Sequence, residues 1–192
     1  MIEDCYMTGI IDKINSLYPI SDDTIRTLKE SMTLCRFPKK YQLIRAGMYC
    51  KSAYFIGKGM TRSFWLVNGE EITTSFSYEG GIVFSMDELY YNKMSEVETL
   101  EDVVVYRISL DKLRRLFETN IELANWGRII HQDEYRRLHR SHKDRLTLSA
   151  KERYEEFRQQ FPQVNQRAQL GYIASYLGIT LSTLSRLRGS RK

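Results

Sequence analysis

Hydrophobic positions recur with a helical period near the C-terminus of the chain. Between residues 168 and 188 the apolar side chains have the spacing of two short helices, and they are Ile173, Leu177, Ile179, Leu184 and Leu187. Gly178 lies between the two runs and can adopt the left-handed conformation that ends a helix. Thr180 can cap the helix that follows. This pattern predicts a helix-turn-helix, whose second helix in DNA-binding proteins lies in the major groove, although a helical hairpin packed on a core would show similar spacing.

From Leu34 to Ile108 the pattern changes to that of strands. Glycines separate short runs of β-branched and aromatic residues. The dipeptide Asn68-Gly69 lies between two such runs and favours a two-residue hairpin turn, because both of its residues must adopt positive φ. In the second run, Ile72, Thr74, Phe76 and Tyr78 alternate with Thr73, Ser75 and Ser77, which predicts two different faces. Many short strands joined by turns predict a barrel or jelly roll, with 103–108 as a buried strand.

Helical patterns surround this region. Capping signals predict helices that begin near Ser21, Ser109 and Ser149, and Pro162 ends the last of them. Asn120 precedes a much longer helical pattern that is half apolar. Such a helix must bury its apolar stripe, partly on the β domain and partly on a second copy of itself, and Gly127 permits close approach. The predicted dimer interface consists of Trp126, Ile129, Ile130 and Leu138.

Charge divides the chain. Residues 136–192 carry 13 Lys and Arg against 4 Asp and Glu, a net charge of +9, whereas residues 1–135 carry a net charge of −4. No acidic residue follows Phe161. A basic end on a neutral or acidic body indicates a polyanion-binding part joined to a sensor or scaffold. A solvated basic tail would account for the charge, but not for the apolar spacing.

Several classes of protein are disfavoured. No apolar run has the length of a bilayer span, and the acidic N-terminus lacks the features of a signal peptide, so we expect a cytoplasmic protein without a membrane segment. The three cysteines are widely spaced, and no third ligand accompanies His139 and His142, so we expect no metal and no cofactor. A cupin-like metalloenzyme is disfavoured because residues 1–130 contain no histidine. No nucleophile or phosphate-loop motif occurs, which predicts that the chain is not an enzyme.

The order of predicted elements, with segments 59–64, 68–71, 79–80 and 172–186, resembles the Crp/Fnr superfamily of bacterial transcription regulators. The last segment is similar to the subgroup common in Bacteroidetes. The resemblance implies an α+β fold with three parts, which are a sensory β-roll of the cyclic-nucleotide-binding type (1–118), a dimerisation helix (119–147) and a helix-turn-helix domain (148–192). It also implies a homodimer whose partners are duplex DNA, a small-molecule effector and RNA polymerase. The chain stops at Lys192, so we expect the family's β-hairpin wing to be missing.

The resemblance also indicates where the effector pocket departs from the family pattern. Nucleotide-binding members carry a Gly-Glu pair and an Arg-Ser pair, which here align with Phe84-Ser85 and Met94-Ser95. Ser85 cannot replace the carboxylate that accepts from the ribose, and Met94 cannot neutralise a phosphate. We therefore expect an effector other than cyclic AMP, or none, at a degenerate pocket that comprises Phe84, Ser85, Met86, Met94 and Ser95.

Candidate DNA-binding residues lie on and around the second helix of the motif. Arg186 is the candidate for base readout, through a two-pronged contact with guanine. Ser182 and Ser185 can contact a base edge or a phosphate, and Leu181 a thymine methyl, with Thr180 also facing outward. Arg167, Arg188, Arg191 and Lys192 are candidate phosphate contacts. The alternative is a ligand-binding or interaction module whose vestigial helix-turn-helix does not read DNA sequence.

Overall fold

The computed structural model describes residues 2–45, 51–84 and 95–189. The helices are α1 (Ile2–Leu17), α2 (Asp22–Glu30), α3 (Leu110–Thr119), α4 (Ile121–Thr147), α5 (Ala150–Gln160), α6 (Pro162–Arg167), α7 (Leu170–Leu177) and α8 (Leu181–Gly189). The strands are β1 (Thr33–Phe37), β2 (Gln42–Ile44), β3 (Ser52–Lys58), β4 (Thr61–Val67), β5 (Glu70–Ser77), β6 (Ile82–Phe84), β7 (Ser95–Thr99) and β8 (Val103–Ser109). This architecture confirms the predicted α+β fold with a β-roll, a long helix and C-terminal helices.

The described strands of the β-roll form two four-stranded sheets, with strand orders β1-β8-β3-β6 and β2-β7-β4-β5. In the first sheet β8 lies between β1 and β3, and both pairings are antiparallel. The predicted buried strand is therefore central in its sheet. Non-consecutive neighbours in both orders are typical of a jelly roll.

The β4–β5 hairpin turns at Asn68-Gly69, as predicted. Both residues adopt positive φ, 52° for Asn68 and 85° for Gly69, as a two-residue hairpin turn requires. Within β5, Thr73 is buried, whereas its neighbours Ile72 and Thr74 are half-buried. The Thr73 amide donates to the Ser175 hydroxyl of α7 at 2.9 Å, and this hydroxyl donates to the Glu71 carbonyl at 3.1 Å. Helix α7 therefore covers part of the outer edge of β5, which is the last strand in its sheet.

The chain divides into two compact units. Unit 1 contains residues 1–63 and 76–133, and unit 2 contains residues 64–75 and 134–192. Most of the β4–β5 hairpin therefore groups with the C-terminal helices, and α4 passes from one unit into the other. The three predicted segments, 1–118, 119–147 and 148–192, stay a prediction.

Two apolar clusters lie among the described residues of unit 1. One lies within the β-roll and includes Tyr54 and Ile56 of β3 with Val103 and Val105 of β8. The other joins the opposite faces of the same strands to helices α1, α2 and α4. Helix α1 was not predicted from the sequence, although its buried side chains have the spacing of one helical face: Met7, Ile10, Ile11 and Ile14.

Trp126 lies in the second of these clusters. Its indole stacks on the Phe55 ring at a centroid distance of 6.0 Å and lies 6.5 Å from the ring of Phe117. The side chain is 2% exposed. Gly127 beside it leaves room for Phe117, since a Cβ on this glycine would come within 3.1 Å of that ring. The close approach predicted for Gly127 is thus made to α3.

Glu122 ties the start of α4 to the N-terminus of α2. Its Oε2 accepts hydrogen bonds from the Ser21 amide at 2.9 Å and the Ser21 hydroxyl at 2.8 Å. Hydrogen bonds from Thr24 and from Ser21 hold the pKa of Glu122 below its ordinary value. Folding therefore favours the carboxylate, and this contribution is present above the ordinary pKa of 4.5 and lost as the pH falls through the lower folded-state value.

The variant Glu122→Gln is therefore expected to lose less of its thermal stability than the wild type when the pH falls from about 5 to about 3. Circular dichroism melts across this range measure the difference. Glu118→Gln on α3 is the matched control, because Glu118 is exposed, and its profile should follow the wild type. Equal losses in the wild type and in Glu122→Gln would show that the Ser21 contact does not contribute.

Candidate nucleic-acid interface

The turn between α7 and α8 has the geometry that the sequence predicts. Gly178 ends α7 in the left-handed conformation, with φ 65°. Its amide donates to the Ser175 carbonyl at 3.1 Å, and the Ile179 amide donates to the Ala174 carbonyl at 3.0 Å. These two bonds are the Schellman pattern of helix termination. Thr180 then caps α8, because its hydroxyl accepts from the Thr183 amide at 3.1 Å.

The orientation of α8 depends on a small apolar core in unit 2. Leu184, on the inner face of α8, is fully buried, as is Ile173 on α7. Phe157 of α5 and Tyr176 of α7 pack with ring centroids 5.5 Å apart. Leu187, predicted to face α7, is half-buried. The inner face of α8 is therefore fixed, which determines the residues that face outward.

The outer face of α8 is polar and basic. Exposed side chains here are those of Thr180, Leu181, Ser182, Ser185, Arg186 and Arg188. The Thr180 hydroxyl lies 2.9 Å from that of Ser182, so part of the face is ordered by its own hydrogen bonds. Arg167, at the end of α6, is half-buried. Arg191 and Lys192 lie outside the described residues.

Two arginines hold the C-terminal end of α7. Arg145 Nη2 donates to the Tyr176 carbonyl at 2.9 Å. Arg153 donates from Nε to the Leu177 carbonyl at 3.3 Å and from Nη1 to the Leu148 carbonyl at 2.8 Å. Cations at these carbonyls satisfy groups that the helix leaves unpaired and complement the helix dipole. Sequence reasoning did not assign either residue, because their sole signal is a basic side chain about 25 to 30 positions before the carbonyl.

A third arginine, Arg137, lies on α4 and pairs with Glu134 of the same helix. Arg137 Nε donates to Glu134 Oε2 at 2.8 Å. Hydrogen bonding to Glu134 raises the pKa of Arg137, so its guanidinium stays charged. Arg137 lines a cleft in unit 2 together with Arg153 and Tyr176. Of these three arginines, Arg145 and Arg153 bind the backbone of the motif, whereas Arg137 binds an acid of its own helix.

The predicted dimer residues separate on different faces of α4. Trp126 is buried in unit 1, and Ile130 packs against the same core. Leu138, by contrast, is 50% exposed. Ile129 is half-buried. The assignment of Trp126 to a dimer interface is corrected by this placement, because its indole already contacts Phe55 and Phe117 within unit 1.

The predicted effector pocket is described only at its two ends. Phe84, the last residue of β6, is half-buried, and its ring lies 6.3 Å from the imidazole of His131. Ser95 begins β7. Ser85, Met86 and Met94 lie outside the described residues. Within the described ranges, no three His, Cys, Asp or Glu side chains come together as a metal site would require.

A comparison with family models identifies the β-roll. Residues 34–120 match the cyclic nucleotide-binding domain family. The match begins in β1 and ends just before α4, so it contains the strands of both sheets. No curated protein matches the chain in sequence.

Solved structures share the architecture beyond the cyclic nucleotide-binding domain. The CLP regulator of Xanthomonas campestris superposes with a TM-score of 0.69 at 15% identity, covering 88% of this chain and 91% of that chain. FixK2 of Bradyrhizobium japonicum gives 0.68 at 18% identity, covering 83% of both chains. The catabolite activator protein of Thermus thermophilus gives 0.55 at 15% identity, covering 89% and 83%. The structural neighbours are regulators of the Crp/Fnr type, and at these identities they show the fold.

One further finding concerns membranes. Among the helices in the described part of the chain, none has both the length and the apolar character needed to cross a bilayer.

Proposed function

We propose that this chain is a homodimeric, sequence-specific DNA-binding transcription regulator of the Crp/Fnr type. The observation that carries the proposal is the outer face of α8, where Arg186 and two serines are exposed on a helix that Leu184 fixes from behind. A helix presented in this way fits the major groove, and a guanidinium can take guanine O6 and N7 together. The absence of acidic residues after Phe161 leaves this end of the sequence attractive to phosphates.

Exposed apolar residues on α4 support the dimer. Tyr135, Leu138 and Leu146 are large, apolar and at least half exposed, and at about 100° per residue they fall within an arc of roughly 80°. Trp126 lies nine residues before Tyr135 and so points about 180° away from it. One face of the helix therefore serves the core of unit 1, and the other is available to a second copy. Two copies would place two recognition helices on neighbouring half-sites.

The proposed effector is not cyclic AMP. The support comes from the sequence, where Ser85 and Met94 occupy the positions that bind ribose and phosphate in nucleotide-binding relatives. We also propose that the regulator acts in the cytoplasm, contacts RNA polymerase and belongs to the Bacteroidetes-type subgroup that residues 172–186 resemble. An effector would change DNA affinity only as far as it binds the two arrangements of the dimer unequally.

Selection from random duplex DNA with the purified protein tests the proposal. At near-physiological salt and without ligand, we expect enrichment of a two-fold symmetric motif with half-sites about one helical turn apart. Addition of cyclic AMP should leave the enriched motif and its yield unchanged. If no motif is enriched, either alone or with cell extract that supplies an effector, the proposal fails. The helix-turn-helix would then be vestigial, as in an interaction module.

A further inference from the structure

All three histidines of the chain lie on α4, and all three are exposed: His131, His139 and His142. Each residue of an α-helix turns the side-chain direction by about 100°. Measured from Tyr135, His131 therefore points about 40° to one side, His142 about 20° to that same side, and His139 about 40° to the other. The histidines thus share the helix face of Tyr135 and Leu138, which we propose to face a second copy.

The spacing along this face is that of a coiled-coil seam. Steps of four, three and four residues join His131, Tyr135, Leu138 and His142. Alternate steps of three and four residues keep side chains on the line where two helices meet. Both copies must direct the same end towards one duplex, so the two α4 helices run parallel, and each seam residue meets its counterpart. His142 therefore faces its counterpart in the second copy.

His139 brings a second imidazole towards the same place. It precedes His142 by three residues, which is about 4.5 Å along the helix axis. In di-iron helical bundles, a carboxylate and an imidazole at this same spacing bind a metal site between facing helices. The His139 ring stacks on that of Tyr135, with centroids 6.2 Å apart, so it lies on the side of the seam. One helix offers two imidazoles, and two parallel helices offer the four that a tetrahedral site needs.

The cationic neighbours of the two histidines leave this place accessible to a metal ion. Arg140 and Lys143 each follow one of the histidines directly and so point about 100° away from it. Arg145 donates to a backbone carbonyl of α7, and Arg137 pairs with Glu134. Neutral imidazole binds Zn²⁺, Cu²⁺ and Ni²⁺, whereas Mg²⁺ and Ca²⁺ prefer oxygen ligands. The chemistry of the four ligands therefore favours a transition-metal ion.

We propose that His139 and His142 of two copies together bind one transition-metal ion of the zinc type across the α4 seam. This inference rests on the dimer of the proposed function, which supplies half of the ligands. The third and fourth ligands, which one chain lacks, come from the second chain. Since the ion binds the dimer and not the monomer, it strengthens dimerisation. His131 lies about 12 Å or more from either residue along the helix axis and takes no part.

Titration of the full-length protein with Zn²⁺, after a chelator has removed bound metal, tests the site. Isothermal calorimetry should give one Zn²⁺ ion per two chains, and Co²⁺ as a spectroscopic probe should show the visible absorption of tetrahedral coordination. In sedimentation equilibrium, saturating Zn²⁺ should lower the dimer dissociation constant at least about 10-fold. The double variant His139→Ala/His142→Ala should lose all three effects and still dimerise without metal. His131→Ala is the matched control, because it removes an exposed histidine outside the site and should bind Zn²⁺ like the wild type.

Each outcome separates the metal site from the proposed function. Zn²⁺ binding that persists in the double variant, or one ion per single chain, would overturn the inference, because other groups such as the cysteines would then hold the ion. A wild-type protein that dimerises and selects a DNA motif in EDTA, but binds no Zn²⁺, would retain the proposed function and overturn the metal site. A chain that stays monomeric with and without Zn²⁺ would overturn both.

Discussion

Trp126→Ala lowers the free energy of unfolding by about 3–5 kcal/mol, which is the expected cost of removing a large aromatic side chain from a packed core. The indole contacts Phe55 and Phe117 and is almost fully buried, so few neighbours can move to fill the space. Chemical denaturation followed by far-ultraviolet circular dichroism measures the loss. Dichroism is preferable to fluorescence, because the chain has two tryptophans and the substitution removes one of them.

Trp126→Phe is the informative control. Nε1 of Trp126 is buried and has no hydrogen-bond partner in the described structure. Phenylalanine keeps an aromatic ring and removes this unpaired donor, so the smaller volume and the lost polar penalty offset each other, and we expect a cost below about 1.5 kcal/mol. A Trp126→Ala protein that unfolds like the wild type but no longer dimerises would contradict the core placement and restore Trp126 to the interface.

Arg186→Ala weakens binding to the selected DNA sequence by about 10- to 100-fold and leaves binding to a scrambled duplex nearly unchanged. A bidentate contact with guanine contributes roughly 1–3 kcal/mol of discrimination, and each factor of ten corresponds to about 1.4 kcal/mol. Arg186 is exposed on the face of α8 opposite to Leu184, so its removal should not affect folding. Fluorescence anisotropy with both duplexes at one salt concentration gives the two affinities.

Arg188→Ala is the matched control for this experiment. Arg188 is also an exposed arginine of α8, but we assign it to a phosphate. Its removal should weaken binding to both duplexes by a similar factor and reduce the salt dependence, since fewer counterions are released. If Arg186→Ala likewise weakened both duplexes equally, Arg186 would be a phosphate contact and base readout would have to lie elsewhere.

The local features of the fold could be predicted because each has a short-range cause. Asn68-Gly69 turns because these two residues tolerate positive φ, and Gly178 ends α7 for the same reason. Ser149 and Glu152 satisfy each other's backbone amides, so the start of α5 was evident from four residues. Helix α1 could also have been found, since Met7, Ile10 and Ile14 have helical spacing.

The long-range features could not be predicted in this way. The apolar residues of α4 are evident in the sequence, but nothing in it states which face the β-roll covers, and Trp126 was therefore placed on the wrong side. The hydrogen bonds of Ser175 had no signal in the sequence, because its partners are backbone groups of β5 about 100 residues earlier. For the candidate site, the outward residues of α8 followed from the position of Leu184, whereas the arginines that hold α7 required the tertiary structure.

The edge of β5 also has a consequence for the biogenesis of the protein. An open strand edge is a template for pairing with other chains, and proteins cover such edges to avoid aggregation. Thr73 precedes Ser175 by 102 residues. The ribosome therefore synthesises the edge of β5 long before it synthesises α7, which covers that edge. During synthesis the edge of the hairpin is therefore uncovered, and the apolar residues Trp65, Leu66 and Val67 lie beside its turn. A chain that stops before α7 would leave this edge uncovered. We therefore expect the last helices to keep the protein soluble by covering a strand in the first half of the sequence.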